Sequence, residues 1–160
     1  MTQETRVLIF GSSISHGYYD EQGGWSQRFT PLINQQAASS NYLFNDSVYE
    51  LGISGNTTQD LLERFSHEAS ARLSADKRNL IIFEIGNNDS IWFVAEQKHY
   101  VSLSAFQNNL QVLIDQTKEF SATPIFLGLT PVDKRVNPMP WRTEGAYRPE
   151  FVEQYDQALT

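Results

Sequence analysis

Apolar residues along this chain keep two alternating rhythms. Short, nearly unbroken apolar runs lie at Val7-Leu8-Ile9-Phe10, at Leu80-Ile81-Ile82-Phe83-Glu84-Ile85 and at Pro124-Ile125-Phe126-Leu127-Gly128-Leu129, with a weaker one from Val48 to Leu51. Each ends at turn residues: Gly11, Gly86, the pair Thr130-Pro131, and Gly52. Runs of this length bounded this way read as strands. In chain order the first, third and fourth hold so few polar positions that they predict strands covered on both faces, as parallel strands under crossover helices are. Between the runs the spacing turns helical. Trp25, Phe29, Leu32 and Ile33 form one stripe, and Leu61, Leu62, Phe65 and Ala69 a second. The second follows Thr57-Thr58-Gln59-Asp60, which has the spacing of a capping box. Leu103, Phe106, Leu110, Leu113 and Ile114 make the longest stripe. Phe151, Tyr155 and Leu159 make the last, behind Pro149, a residue suited to a first helical turn.

This alternation predicts an α/β domain. Strand–helix–strand crossovers are right-handed, so the product is an open parallel sheet with helices on both faces. Ligands of such sheets bind outside the carboxyl ends of the strands, where strand order reverses. No repeat or low-complexity tract interrupts the pattern, and 160 residues make one domain, 1–160. A chain of that length buries a core without staples.

Charge and cysteine content narrow the function. Nineteen acidic against 12 basic side chains give a net charge of −7. That balance excludes nucleic acid as a partner and disfavours an anionic membrane surface. It also mildly disfavours anionic substrates. With no cysteine there is no disulfide scaffold, thiol nucleophile or cysteine-ligated metal. His16, His67 and His99 share no ligand spacing, so no metal and no cofactor is expected. The start, Met1-Thr2-Gln3-Glu4-Thr5, is polar, and Gly11 stops the first apolar run at once. That is not a secretory signal, and nothing approaches the roughly 18 apolar residues of a membrane span. A cytoplasmic location without membrane insertion is the expectation.

The chemistry gathers where the runs end. Gly11-Ser12-Ser13-Ile14-Ser15-His16-Gly17 follows the first run, Gly52-Ile53-Ser54-Gly55-Asn56-Thr57-Thr58 the second, and Gly86-Asn87-Asn88-Asp89-Ser90 the third. Any one of these loops reads as an ordinary turn. Three of them after three strands bring a serine nucleophile together with backbone and amide N–H groups, the donors an oxyanion needs.

In order and spacing these blocks resemble the SGNH (GDSL-type) hydrolases, serine esterases and lipases with a flavodoxin-like three-layer α/β/α fold. The likeness runs from Val7 to about Tyr155. It implies Ser13 as nucleophile, with the Ser13 N–H, the Gly55 N–H and the Asn88 side-chain amide as oxyanion donors. It also implies a small-molecule acyl ester as substrate. Asp89 reads as a brace for the Asn88 loop. The chain departs from the family pattern twice. Ser12 stands where the family carries Asp, and the Asp-x-x-His block that supplies base and orienting acid does not occur. Four strands are thus expected within residues 1–160 and a fifth beyond, in a domain incomplete at its C-terminus. The expected consequences are weak esterase activity of residues 1–160 alone and self-association through an exposed edge at the fourth strand.

His16 reads as a wall of the site rather than its base, His67 as solvent-exposed, and His99 as part of a surface loop. Ile91-Trp92-Phe93-Val94 and the long connection from Pro131 to Pro149, with Met139, Trp141 and Tyr147, read either as walls over Ser13 or as a satellite core. Tyr18-Tyr19-Asp20 and Gly23-Gly24-Trp25 are candidates for the opposite wall. Two other functions stay open: a non-catalytic binding relative on the same fold, and a mononucleotide binder. The loop at Gly11–Gly17 matches neither nucleotide fingerprint, which counts against the second.

Overall fold

The structure, a computed structural model, describes residues 4–159. The polar start at Met1-Thr2-Gln3 and the last residue, Thr160, lie outside them. In chain order the elements are β1 (Thr5–Gly11), α1 (Ser13–His16), α2 (Trp25–Ser39), β2 (Ser47–Gly52), α3 (Thr58–Ser70), β3 (Arg78–Glu84), β4 (Trp92–Phe93), β5 (Lys98–His99), α4 (Leu103–Glu119), β6 (Ala122–Phe126), a 3-10 turn (Lys134–Val136), β7 (Gly145–Ala146) and α5 (Pro149–Gln157).

The main sheet has the order β2-β1-β3-β6, all parallel. The chain passes from β1 outward to β2, then returns across β1 to β3. Strand order therefore reverses between β1 and β3, and the crevice of an open α/β sheet opens there. On one face Leu8 and Phe10 of β1 and Ile81 and Phe83 of β3 pack under Leu61 and Phe65 of α3 and Leu113 of α4, all seven fully buried. The rings interlock, with Phe10 and Phe65 centroids 5.0 Å apart and Phe83 stacked on Phe126 at 4.8 Å. On the other face lies α2, whose Trp25 indole N–H donates to Glu84 at 2.6 Å. Burial shifts the Glu84 carboxyl upward, and the Trp25 hydrogen bond opposes that shift. A second cluster joins Phe106 and Leu110 of α4 to Leu129 and to Val152 and Tyr155 of α5.

β1 is covered on both faces as its composition predicts, whereas β3 is buried on one face, at Ile81 and Phe83, and only half-buried on the other, at Leu80 and Ile82. β6 is not covered on both faces either. It occupies the sheet edge, its burial alternates, and Ile125 is 38% exposed. The strand also begins two residues earlier than the apolar run, at Ala122, and ends before Gly128. Leu32, counted in the α2 stripe, is exposed on the helix surface. The capping box of α3 forms as its spacing predicts: Thr57 accepts from the Asp60 N–H, and the Asp60 carboxylate accepts from the Thr57 N–H at 2.8 Å.

A second, antiparallel sheet of order β5-β4-β7 stands beside the carboxyl ends of the main strands. Trp92 pairs with both His99 and Ala146, and Phe93 with both Lys98 and Gly145. Each strand has only two residues, too short for alternation to register in the sequence. This sheet ties the chain after β3 to the long connection after β6. Among the described residues no helix is long and apolar enough to cross a membrane.

Candidate active site

A cavity of about 410 Å³ opens at the carboxyl ends of β1, β2 and β3. Its floor contains Ser12, Ser13, Ser54, Gly55, Asn87 and Asn88, and its walls include Tyr18, Tyr19, Val132, Trp141, Arg142 and Tyr147. The three positions singled out in the sequence, Ser13, Gly55 and Asn88, thus share one cavity.

Ser13 is the first residue of α1, so its N–H has no intrahelical acceptor. The turn leaves β1 sharply because Gly11 lets α1 lie against the sheet. A Cβ at Gly11 would fall 2.8 Å from the Glu84 carbonyl and closer still to Ser15. Ser15 fixes the turn: its hydroxyl donates to the Ser12 carbonyl at 3.0 Å, and its own carbonyl accepts from the Ser26 hydroxyl. Ser12 is 4% exposed and its side chain makes no cap hydrogen bond.

Gly55 adopts φ +83°, the left-handed region open to glycine. The space around it is open, since a Cβ there would meet nothing within 4 Å. The glycine is required by the backbone angle alone. In this loop the Ile53 N–H reaches the Gly11 carbonyl and the Asn56 N–H the Ile53 carbonyl, while the Gly55 N–H has no acceptor among the described residues. Arg64 of α3 clamps the loop. Its guanidinium donates to Asn56 Oδ1 at 2.8 Å, to the Leu51 carbonyl at 2.9 Å and to the Gly11 carbonyl at 3.4 Å. One side chain thereby ties the ends of β1 and β2 together.

Asn88 is 7% exposed and held at both ends of its amide. Its Nδ2 donates to the Asn56 carbonyl at 2.8 Å, and its Oδ1 accepts from the Tyr147 hydroxyl at 2.6 Å. Among the described residues the second Nδ2–H has no acceptor. Burial pushes the Tyr147 hydroxyl up to about 12, against the pull of the nearby Arg142 charge, so Tyr147 stays a donor at neutral pH. Asn137 in turn grips the Tyr147 backbone with both ends of its amide, at 2.6 and 3.0 Å.

Behind the loop Asp89 is fully buried and accepts from the Thr58 N–H and hydroxyl, while Asn109 Nδ2 donates to that hydroxyl at 2.9 Å. Asp89 thus braces the Asn88 loop on the start of α3. Desolvation raises its carboxyl to about 6, and the Thr58 hydrogen bonds oppose that shift.

Two of the three histidines fall differently from expectation. His16 does not line the cavity. Its Nδ1 sits 3.1 Å from Glu50 on β2, and its ring faces Tyr18. His99 is not a surface-loop residue: it sits in β5 among Trp92, Phe151 and Tyr155, with Nδ1 3.2 Å from the Ser90 carbonyl. His67 is exposed on α3, as its place off the stripe predicts. The long connection divides between the two roles open to it. Met139 is fully buried and anchors it, whereas Trp141, Arg142 and Tyr147 line the cavity. Tyr18 and Tyr19 supply the opposite rim, and Trp25 instead turns inward to Glu84.

Sequence reasoning missed Arg64, Arg142 and the bond from Tyr147 to Asn88, although Tyr147 reads as a candidate wall of the site. Arg64 stands on the stripe-forming helix with no motif around it. Tyr147 reaches Asn88 across 59 positions through the β4–β7 pairing, which leaves no local signal.

Solved structures share this fold. A lipase/acylhydrolase from Enterococcus faecalis superposes with a TM-score of 0.65 at 21% identity, covering 96% of this chain and 68% of that one. A catalytic mutant of an acetylxylan esterase from Geobacillus stearothermophilus gives 0.64 at 20% identity, over 96% and 69%. A GDSL-like lipase from Bacteroides thetaiotaomicron gives 0.62 at 19%, over 95% and 60%, so this chain spans less than two thirds of that protein. No curated protein matches. The family model described as the GDSL-like lipase/acylhydrolase family matches residues 9–160, and the cavity stands on the strand ends that this match includes. The chain belongs to the GDSL-like lipase/acylhydrolase family.

Proposed function

We propose that this protein hydrolyses carboxylic esters through an acyl-enzyme on Ser13. One observation carries the reading: Ser13, Gly55 and Asn88 leave three different strands and line a single cavity, with the Asn88 amide fixed by Asn56 and Tyr147. Ser13 Oγ attacks the ester carbonyl carbon and forms the new C–O bond. The hydroxyl proton ends on the departing alcohol as its C–O bond breaks. Water then adds to the acyl-Ser13 carbonyl, the carboxylic acid leaves, and Ser13 recovers its proton. In both halves the negative oxygen faces the Ser13 N–H, the Gly55 N–H and the free Asn88 Nδ2–H, donors held in place before the reaction begins.

A second reading rests on a different observation. None of the three histidines lines the cavity, and the residue before Ser13 is an uncharged serine. On that reading the chain is a non-catalytic relative that binds ligands in the same cavity. Labelling with a fluorophosphonate separates the two. Covalent labelling at Ser13, and ester turnover reduced at least roughly 10³-fold by Ser13→Ala, support the hydrolase. A folded protein that is neither labelled nor active supports the binding relative.

A further inference from the structure

Among the side chains lining the cavity, Arg142 alone carries a charge. It is half-buried, and its guanidinium has no hydrogen-bond acceptor and no carboxylate partner among the described residues. What holds it is a ring: its Cζ lies 4.5 Å from the centroid of Tyr100. A guanidinium over an aromatic face keeps its edge donors free for a carboxylate or phosphate. The backbone beneath is pinned as well. Met139 is fully buried, pairs with Arg142 in an antiparallel bridge, and accepts the Arg142 N–H at 3.2 Å. Arg142 lines the same cavity as Ser13, Asn88 and Tyr147, and its charge is felt at the Tyr147 hydroxyl that bonds Asn88.

An unpaired, partly desolvated cation is costly unless a ligand completes it. We propose that Arg142 makes this cavity selective for esters bearing a second, anionic oxygen group, a carboxylate or a phosphate, which the guanidinium pairs. The inference rests on the ester-hydrolase reading and names its substrate class. It also revises the expectation drawn from the net charge of −7. Long-range repulsion acts on approach, but pairing inside a low-dielectric cavity is decided by the nearest charge.

Two pairs of esters test it on the whole protein. Acetoxybenzoate, esterified through its 4-hydroxyl, is set against its neutral methyl ester, placing the charge on the alcohol side. The 4-nitrophenyl half-ester of adipic acid is set against 4-nitrophenyl hexanoate, placing it on the acyl side. In at least one pair, the ratio of kcat/KM for the anionic over the neutral ester is expected to fall about 10–100-fold in Arg142→Gln. Arg142→Met, which keeps the apolar stem over Tyr100, should lower it equally. Binding gives a readout independent of turnover. By calorimetry, 4-hydroxybenzoate and phenyl phosphate should bind the wild type at least about tenfold more tightly than methyl 4-hydroxybenzoate, and Arg142→Gln should erase the difference. The tighter of the two anions identifies the group. Unchanged ratios in both pairs, with equal binding of all three ligands, overturn the inference even where Ser13 is labelled. Selective anion binding without any labelling overturns the hydrolase reading instead.

Discussion

The Tyr147 hydroxyl donates to Asn88 Oδ1 across 2.6 Å, and the two residues are 59 positions apart. With Nδ2 already given to the Asn56 carbonyl at 2.8 Å, the plane of the Asn88 amide has no freedom left. Its remaining N–H is therefore directed by two neighbours rather than by its own rotamer. Preorganisation of this kind is what makes a donor effective against a developing negative charge.

Tyr147→Phe removes that bond and keeps the ring. In the ester-hydrolase reading, kcat is expected to fall about tenfold with KM changed less than about threefold, because the loosened amide matters most in the transition state. A purely structural role for Tyr147 shifts stability and leaves kcat of the folded fraction intact. The decisive measurement is a double-mutant cycle: Tyr147→Phe should add almost nothing once Asn88→Ala is present.

Asn88→Ala deletes the donor outright. Loss of one oxyanion donor typically lowers kcat by roughly 10²–10³. The expected result is a fall of that size with KM nearly constant. A rise in KM with unchanged kcat assigns Asn88 to ground-state binding instead.

Much of this is legible in the sequence, and the rest is not for definite reasons. The four main strands and the helices between them announce themselves because burial on two faces makes unbroken apolar runs, and burial on one makes a stripe. The loops that carry Ser13, Gly55 and Asn88 are visible because each follows a strand, and the family resemblance singles out these three residues within them. β6 deceives because an edge strand can be as apolar as a central one; Ile125 and Pro124 read as core until the sheet order is known. β4, β5 and β7 have two residues each, below any period. Arg64, Arg142 and Tyr147 act across the fold, where spacing along the chain carries no information. His99 looks polar in context because the rings that enclose it, Phe151 and Tyr155, come more than fifty residues later.

Arg64→Met tests how the Gly55 loop is held. The Arg64 side chain is 15% exposed and reaches three acceptors at the ends of β1 and β2. Its loss leaves the Leu51 and Gly11 carbonyls and Asn56 without that donor. A stability loss of roughly 2–3 kcal/mol in urea is expected. Glu68, its partially exposed ion-pair partner at 3.0 Å, is the control: Glu68→Gln should cost less than about 1 kcal/mol. Equal losses in the two variants assign the effect to the ion pair and not to the clamp.

Asp89 makes the stability of the fold depend on pH. Burial raises its carboxyl to about 6, above its ordinary value of 3.8. Between those values the folded protein holds a proton that the unfolded chain has released. Stability contributed by this group is therefore full below about pH 4 and declines as pH rises through 6. The decline is at most about 3 kcal/mol, since a tenfold difference in proton affinity between the folded and unfolded chain is worth about 1.36 kcal/mol. The Thr58 N–H and hydroxyl, both donating to Asp89, favour the ionised form and keep the loop closed after the proton leaves. Glu84, also raised by burial, adds a loss of the same sign, so the slope of the wild type alone does not isolate Asp89. The difference between wild type and Asp89→Asn does. The amide cannot titrate, and its Oδ1 still accepts from Thr58. Urea unfolding at pH 4, 5, 6 and 7 should show Asp89→Asn gaining on the wild type as pH rises, with most of the gain complete by pH 7. A constant difference between the two across that range would mean that Asp89 is ionised throughout, with the Thr58 bonds outweighing its burial.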